Sequence, residues 1–269
     1  MSMLTYPNID PVAISIGPIS IHWYGLMYLV GFTLAYLMMM HRAKQPGSNW
    51  TKEQVSDLIF YSAMGVVIGG RFGYVIFYNF SKFLDDPLWL FAVWEGGMSF
   101  HGGLLGVIVA CILFARRYGK TLFQVTDFGA PMVPIGLLTG RIGNFIGGEL
   151  WGRVSDAPWA MVFPKGGPLP RHPSQLYEAF LEGFVLLIIL WVFSSKPRPA
   201  MAVSGLFLVG YGVFRFMVEF VREPDNHIGF DLLGWMTRGQ ILCVPMVLFG
   251  AALIYMAYKK ENAKAQQKS

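Results

Sequence analysis

Of 269 residues, 54% are hydrophobic and only 14% charged, with 22 Phe and 15 Met, which is more apolar than a soluble domain requires. This balance excludes an ordinary soluble enzyme and predicts an integral membrane protein. The formal net charge of +5 accompanies no nucleic-acid-binding motif, so it is read as topology and attraction to anionic headgroups, with no nucleic-acid partner.

Residues 1–19 lack a basic stretch followed by an apolar run, which predicts no cleaved signal peptide. Apolar stretches of about 20 residues then predict seven spans, at 20–40, 56–78, 98–116, 122–147, 175–194, 201–221 and 238–258. The expected fold is an all-α polytopic helix bundle forming one membrane domain over residues 1–269. One set of loops holds Arg42, Lys44, Lys52, Arg116, Arg117, Lys120, Lys196, Arg198, Lys259, Lys260, Lys264 and Lys268, twelve cations. The other set holds six, Lys82, Arg153, Lys165, Arg171, Arg222 and Arg238, interspersed with acids. Positive loops face the cytoplasm, so the N-terminus is expected outside and the C-terminus inside. The larger segments 79–97, 148–174 and 222–237 then lie outside, and the residues after Lys259 form a short mobile polar tail.

Taken along the chain, the first span opens with His22-Trp23-Tyr24-Gly25, and the second carries Arg71 among Gly65, Gly69 and Gly73. Ser99-Phe100-His101-Gly102-Gly103 opens the third; the fourth holds Gly136, Gly140, Arg141, Gly143, Asn144 and Gly147, with Glu149 and Gly152 just beyond. In the sixth, Tyr211, Arg215 and Glu219 recur every four residues and so share a helix face. The small-xxx-small glycine pairs predict close helix packing. Cys111 and Cys243 fall within spans without metal or redox spacing, and are expected to be inert and apolar.

An arginine at the centre of a bilayer costs roughly 2.5 to 3.5 kcal/mol on insertion scales, which makes Arg71, Arg141 and Arg215 functional candidates. Each sits six or seven residues before the outer end of its span. At 1.5 Å per residue that places all three roughly 10 Å below the outer surface. A basic pocket in the outer leaflet is the expectation, with Glu219 holding the Arg215 fork and Asn144 within reach of Arg141. The guanidinium fork suits a phosphate, and histidine, which titrates near neutral pH, suits proton removal by His101. No Ser-His-Asp pattern and no metal-ligand cluster is visible, so no metal and no cofactor are expected. A small-anion transporter or channel would carry similar residues, although nearer the midplane.

These motifs resemble those of the prolipoprotein diacylglyceryl transferase family. The likeness rests on Gly140 through Gly152, His22-Trp23-Tyr24-Gly25, Gly70-Arg71-Phe72-Gly73-Tyr74 and Ser99-Phe100-His101-Gly102-Gly103. It extends to Arg171-His172-Pro173-Ser174-Gln175-Leu176-Tyr177-Glu178, and to Tyr211 through Glu219 running on to Arg222-Glu223-Pro224-Asp225. One departure is Gly147, where the family pattern has Asn. The resemblance implies a bacterial inner-membrane transferase with its site toward the periplasmic leaflet. Such an enzyme moves the sn-1,2-diacylglyceryl group of phosphatidylglycerol to the lipobox cysteine of a prolipoprotein signal peptide. It further implies His101, Arg141, Arg215, Tyr24 and Asn144 as catalytic residues, and Arg141, Arg71, Glu149, Gly152, Tyr211 and Glu219 as substrate-binding ones.

Overall fold

The computed structural model describes residues 4–7, 9–17, 19–223, 230–232 and 236–267; the expectations for Pro224, Asp225 and Lys268 lie outside them. The chain is mainly helical and divides into two compact units, one of Met1–Ala35 with Asp127–Ser269, the other of Tyr36–Thr126. Five helices are long and apolar enough to cross a membrane: α1 (Trp23–Ala43), α2 (Lys52–Tyr78), α4 (Phe100–Arg117), α7 (Ser174–Ser194) and α9 (Arg238–Gln266). Between them lie α3 (Phe80–Asp85), α5 (Leu122–Gly129), α6 (Val133–Ile146) and the shorter apolar α8 (Ala202–Val218). Short strands complete the architecture: β1 (Leu4–Thr5), β2 (Val12–Ile16), β3 (Ile19–His22), β4 (Met161–Val162), β5 (Phe230–Leu232) and β6 (Met236–Thr237).

Several boundaries differ from the sequence expectation for local physical reasons. The first helix starts at Trp23 rather than residue 20, because the alternating Ile-Ser-Ile run forms an antiparallel hairpin in which β2 pairs with β3 around Gly17, φ +58°. The second starts at Lys52 rather than 56, where Thr51 and Gln54 form a reciprocal capping box. The expected continuous span 122–147 is broken by a 3-10 turn at Ala130–Met132, since Pro131 and Pro134 remove two backbone donors. The polar end after Lys259 continues α9 as helix to Gln266.

In the Tyr36–Thr126 unit, α2 and α4 cross backbone to backbone. A Cβ at Gly65 would lie 2.7 Å from the Gly106 carbonyl oxygen, and one at Gly73 2.7 Å from Gly102 Cα. The glycine repeat of α2 therefore meets a second one on α4. Gly65→Val is expected to lower stability by about 1–3 kcal/mol through forced separation of the helices. Gly103→Ala, whose added carbon meets nothing nearer than 3.6 Å, is expected to be neutral; thermal unfolding in detergent compares the two.

In the larger unit, α8 and α9 cross at Gly205 and Gly250, each of whose Cβ would lie 2.7 Å from the other's carbonyl oxygen. Helix α1 meets α6 at Gly31, where an added Cβ would lie 2.6 Å from Thr139 Oγ1. Gly136 and Gly140 are not a close-packing pair, since a Cβ at either meets nothing within 4 Å. Helix α7 contains a π stretch, Ala179–Val185. An i+4 repeat in an α-helix drifts about 40° per step, and one wide turn gives back about 100°. Glu178, Glu182, Leu186 and Leu190, spaced by four, thereby form one stripe, and all four are fully buried. The lower half joins a core cluster with Ala130 and Val203, against which Tyr211 and Phe214 pack.

Candidate active site

Helix α6 carries Arg141 and Asn144 on one face, and its C-terminal end is held from outside. The Tyr6 hydroxyl lies 2.8 and 2.6 Å from the carbonyl oxygens of Phe145 and Ile146, answering acceptors that a helix end leaves open. The chain then turns through Gly148 at φ +60° and Leu150 at φ +59°. Left-handed backbone costs a non-glycine residue of order 1 kcal/mol or more and persists only where its surroundings enforce it. Here the Ser174 hydroxyl donates to the Leu150 carbonyl at 3.0 Å, and the Gln175 amide to the Glu149 carbonyl at 2.6 Å. Glu149 is thus folded back onto the helix: Asn144 Nδ2 donates to its Oε1 at 2.9 Å, and Arg141 Nη1 reaches Asn144 Oδ1 at 3.4 Å.

The centre of the arrangement is Glu178. Its buried carboxylate meets Arg141 through Nε, Arg215 Nη1 at 3.2 Å and Arg222 Nη1 at 3.0 Å. Arg215 also approaches Glu182 at 3.7 Å and binds Glu219 through Nη2 at 2.8 Å. Glu219 in turn accepts the Thr237 hydroxyl at 3.0 Å. Guanidinium and carboxylate charges balance in number here, as burial demands. The two central arginines are nevertheless unlike. Arg215 is divided among three carboxylates, whereas Arg141 ion-pairs with Glu178 alone, is the more exposed at 19%, and has no acceptor on Nη2 among the described residues. Arg141 is therefore the cation able to take an added anion without first losing a buried partner.

The remaining expected residues fall into distinct settings. Tyr24 packs on α6 where Gly143 leaves room, with its hydroxyl 3.3 Å from that of Tyr28. Tyr211 stacks on Phe207 at 5.9 Å in the apolar cluster below Arg215. Gly152 donates its N–H to the His172 carbonyl at 2.8 Å, and a Cβ there would lie 2.8 Å from His172 Cβ. It is a backbone junction rather than a group with a side chain to offer. Burial pushes the His172 imidazole down from its ordinary range, against the opposing pull of Asp156.

Arg71 and His101 belong to the other unit. Arg71 is buried at 2% exposure and donates to the carbonyls of Leu90 (2.9 Å), Gly96 (2.6 Å) and Trp89 (2.6 Å). It also lies under the Trp89 ring at 4.5 Å. It clamps the 87–97 segment onto α2. The Trp89 indole donates to Glu95 at 2.7 Å and, with Lys82 at 3.5 Å, holds that carboxyl below its ordinary range. Arg71→Gln is accordingly expected to raise protease cleavage within 87–97 before the α2–α4 crossing loosens, as limited proteolysis read by mass would register. His101 is exposed in the first turn of α4, edge-on to Phe100 at 5.6 Å, and that turn is capped by Ser99 accepting from the Gly102 N–H at 3.2 Å.

Sequence reasoning missed Glu178 and Glu182, and counted Arg222 as a loop cation. The signal was available: two carboxylates four residues apart at the start of an apolar span obey the same intramembrane-charge rule that singled out the arginines. Arg222 carried no such signal, because its burial depends on the fold returning it to α7.

Compared with known proteins, residues 11–256 match the family model described as prolipoprotein diacylglyceryl transferase. Among curated relatives, a Photobacterium profundum protein is 64% identical over 263 residues, 97% of this chain and 98% of its own length. A Vibrio parahaemolyticus protein is 63% identical over 268 residues, 99% and 98% of the two chains. One from Pseudomonas paraeruginosa is 61% identical over 262 residues, 97% and 98% of the two chains. All three bear the name phosphatidylglycerol–prolipoprotein diacylglyceryl transferase.

Proposed function

Since the chain belongs to the prolipoprotein diacylglyceryl transferase family, we propose that it transfers the sn-1,2-diacylglyceryl group of phosphatidylglycerol to the lipobox cysteine thiol of a prolipoprotein signal peptide. The observation that carries this reading into chemistry is the gathering of Arg141, Arg215 and Arg222 on the buried Glu178 carboxylate. In the reaction the thiol loses its proton, its sulfur bonds to the glycerol carbon, and the carbon–oxygen bond to phosphate breaks. The products are a thioether and sn-glycerol 1-phosphate. Negative charge grows on the phosphate as it leaves, so guanidinium donors aimed at those oxygens favour the transition state over the bound lipid.

In this mechanism Arg141 contacts the phosphate through its free edge while Glu178 fixes its Nε. Arg215, shared among three acids, supplies a fixed positive field. Asn144 and Glu149 orient the bound headgroup, and Tyr24 frames it from α1. Glu219 and Tyr211 act by seating Arg215, Gly152 by close backbone packing, and Arg71 by holding segment 87–97. The substrate provides the nucleophile, and a thiol reacts as thiolate. His101 is the residue proposed to take its proton. His101→Asn is expected to lower turnover by about 10²–10⁴-fold and to flatten its rise with pH; near-wild-type turnover across pH would remove that role.

The proposed setting is a bacterial inner membrane crossed seven times, with α5–α6 and α8 completing the five longer helices. The N-terminus is periplasmic, the C-terminus cytoplasmic, and the reacting groups lie in the outer leaflet. Twelve against six loop cations support that orientation. Purified protein given phosphatidylglycerol and a lipobox peptide should yield peptide heavier by one diacylglyceryl group together with free glycerol phosphate. Absence of both from folded protein would refute the assignment.

A further inference from the structure

At the end of α7 remote from Glu178, a groove runs between α7 and α8. Its volume is about 530 Å3, within the roughly 300–1,000 Å3 of small-ligand sites. Ile188, Ile189, Val192 and Leu206 form its apolar wall, and Lys196 and Arg198 stand at its rim. Ile188 is 47% and Val192 63% exposed, on a helix apolar enough to cross a membrane. From Ile188 to Ser194, where α7 ends two residues before Lys196, the chain rises by about 9 Å at helical pitch, so acyl-chain depth and headgroup level occur in one groove.

The rim is built rather than loose. Pro197 and Pro199 restrict the connecting backbone. Asp127 accepts the N–H groups of Met201 at 2.7 Å and Ser204 at 2.8 Å, fixing the start of α8. Arg198 donates through Nε to the Phe193 carbonyl at 2.8 Å and lies over the Phe193 ring at 4.2 Å. Its terminal nitrogens and the Lys196 ammonium have no hydrogen-bond or ion-pair partner among the described residues. Two cations held at the mouth of an apolar groove complement one kind of occupant, a lipid with a negative headgroup.

We propose that this groove is a second lipid site, one that retains an anionic phospholipid at the membrane face opposite the transferase centre. The site rests on α7 and α8 lying in the bilayer, not on the reaction assigned above. Photoreactive phosphatidylglycerol and phosphatidylcholine probes of matched chains, each in phosphatidylcholine vesicles holding the full-length protein, test it. Cross-links to residues 188–206 should favour the anionic probe by about tenfold. Free glycerol phosphate should leave that ratio unchanged, and Lys196→Gln with Arg198→Gln should bring it to about one while transfer activity persists. Lys196→Gln alone, which removes no contact among the described residues, should lower the ratio severalfold. Equal labelling by the two probes, displacement by free glycerol phosphate, or an unchanged ratio in the double variant would each overturn the site. Absence of transfer by the unsubstituted protein with its anionic preference intact would count against the reaction assignment alone.

Discussion

Glu178→Gln is expected to lower diacylglyceryl transfer by at least about 100-fold and to destabilise the protein by about 3–5 kcal/mol. The carboxylate is fully buried and touches three guanidinia. Neutralising it leaves those cations facing one another with only Glu182 and Glu219 as counter-charges, and the penalty of an unpaired buried charge exceeds the gain that forming the pair had contributed. Thermal unfolding separates the stability loss from the catalytic one. Glu178→Asp keeps the charge on a shorter arm, so it should recover most stability and only part of the turnover. The KM for phosphatidylglycerol should rise along with the fall in kcat, because Arg141 loses the partner on Nε that orients its free edge. A Gln variant with unchanged kcat and KM would show that Glu178 positions nothing.

Arg141→Lys is expected to reduce kcat/KM by about 10²–10³-fold with little change in unfolding temperature. Lysine keeps the charge but presents a point donor instead of a planar fork, and losing one donor to a developing oxyanion costs about that factor. Stability is spared for a structural reason: the Arg141 side chain is 19% exposed, and Glu178 retains Arg215 and Arg222. Arg215→Lys should show the reverse weighting, losing stability as well as rate, since its two terminal nitrogens serve three acids. Equal unfolding temperatures for the two variants would contradict the division of labour between them.

Legibility from the sequence followed the range of the interactions involved. The five helices long and apolar enough to cross a membrane could be read because hydrophobic length is local, and the Tyr211, Arg215 and Glu219 face because helical periodicity is local. The Arg215–Glu219 pair at 2.8 Å is such a local contact. Arg71 and Arg141 sit in nearly the same Gly-Arg-x-Gly setting, yet one guanidinium is enclosed by carbonyls of residues 89–97 and the other faces Glu178. Turns folding back over about 20 residues decide that difference, and no periodicity announces them. The break at Ala130–Met132 was written in Pro131 and Pro134 but was outweighed by hydropathy. Which carboxylate would gather the arginines depended on the pairing of α6, α7 and α8, a property of the tertiary fold alone.

The wide turn in α7 constrains how this protein can vary. Because Glu178 and Glu182 share one stripe with Leu186 and Leu190 only through the π stretch Ala179–Val185, drawing that stretch into regular pitch with every residue kept would swing one half of the stripe by about 100°. Either two carboxylates would turn toward hydrocarbon or two leucines would leave the core beside Val203. Substitutions in this segment can be absorbed one side chain at a time, and loss of one residue together with the wide turn would leave the two halves in register, but the extra residue and the wide turn must be kept or lost together: that coupling gears the ionic centre to the apolar core.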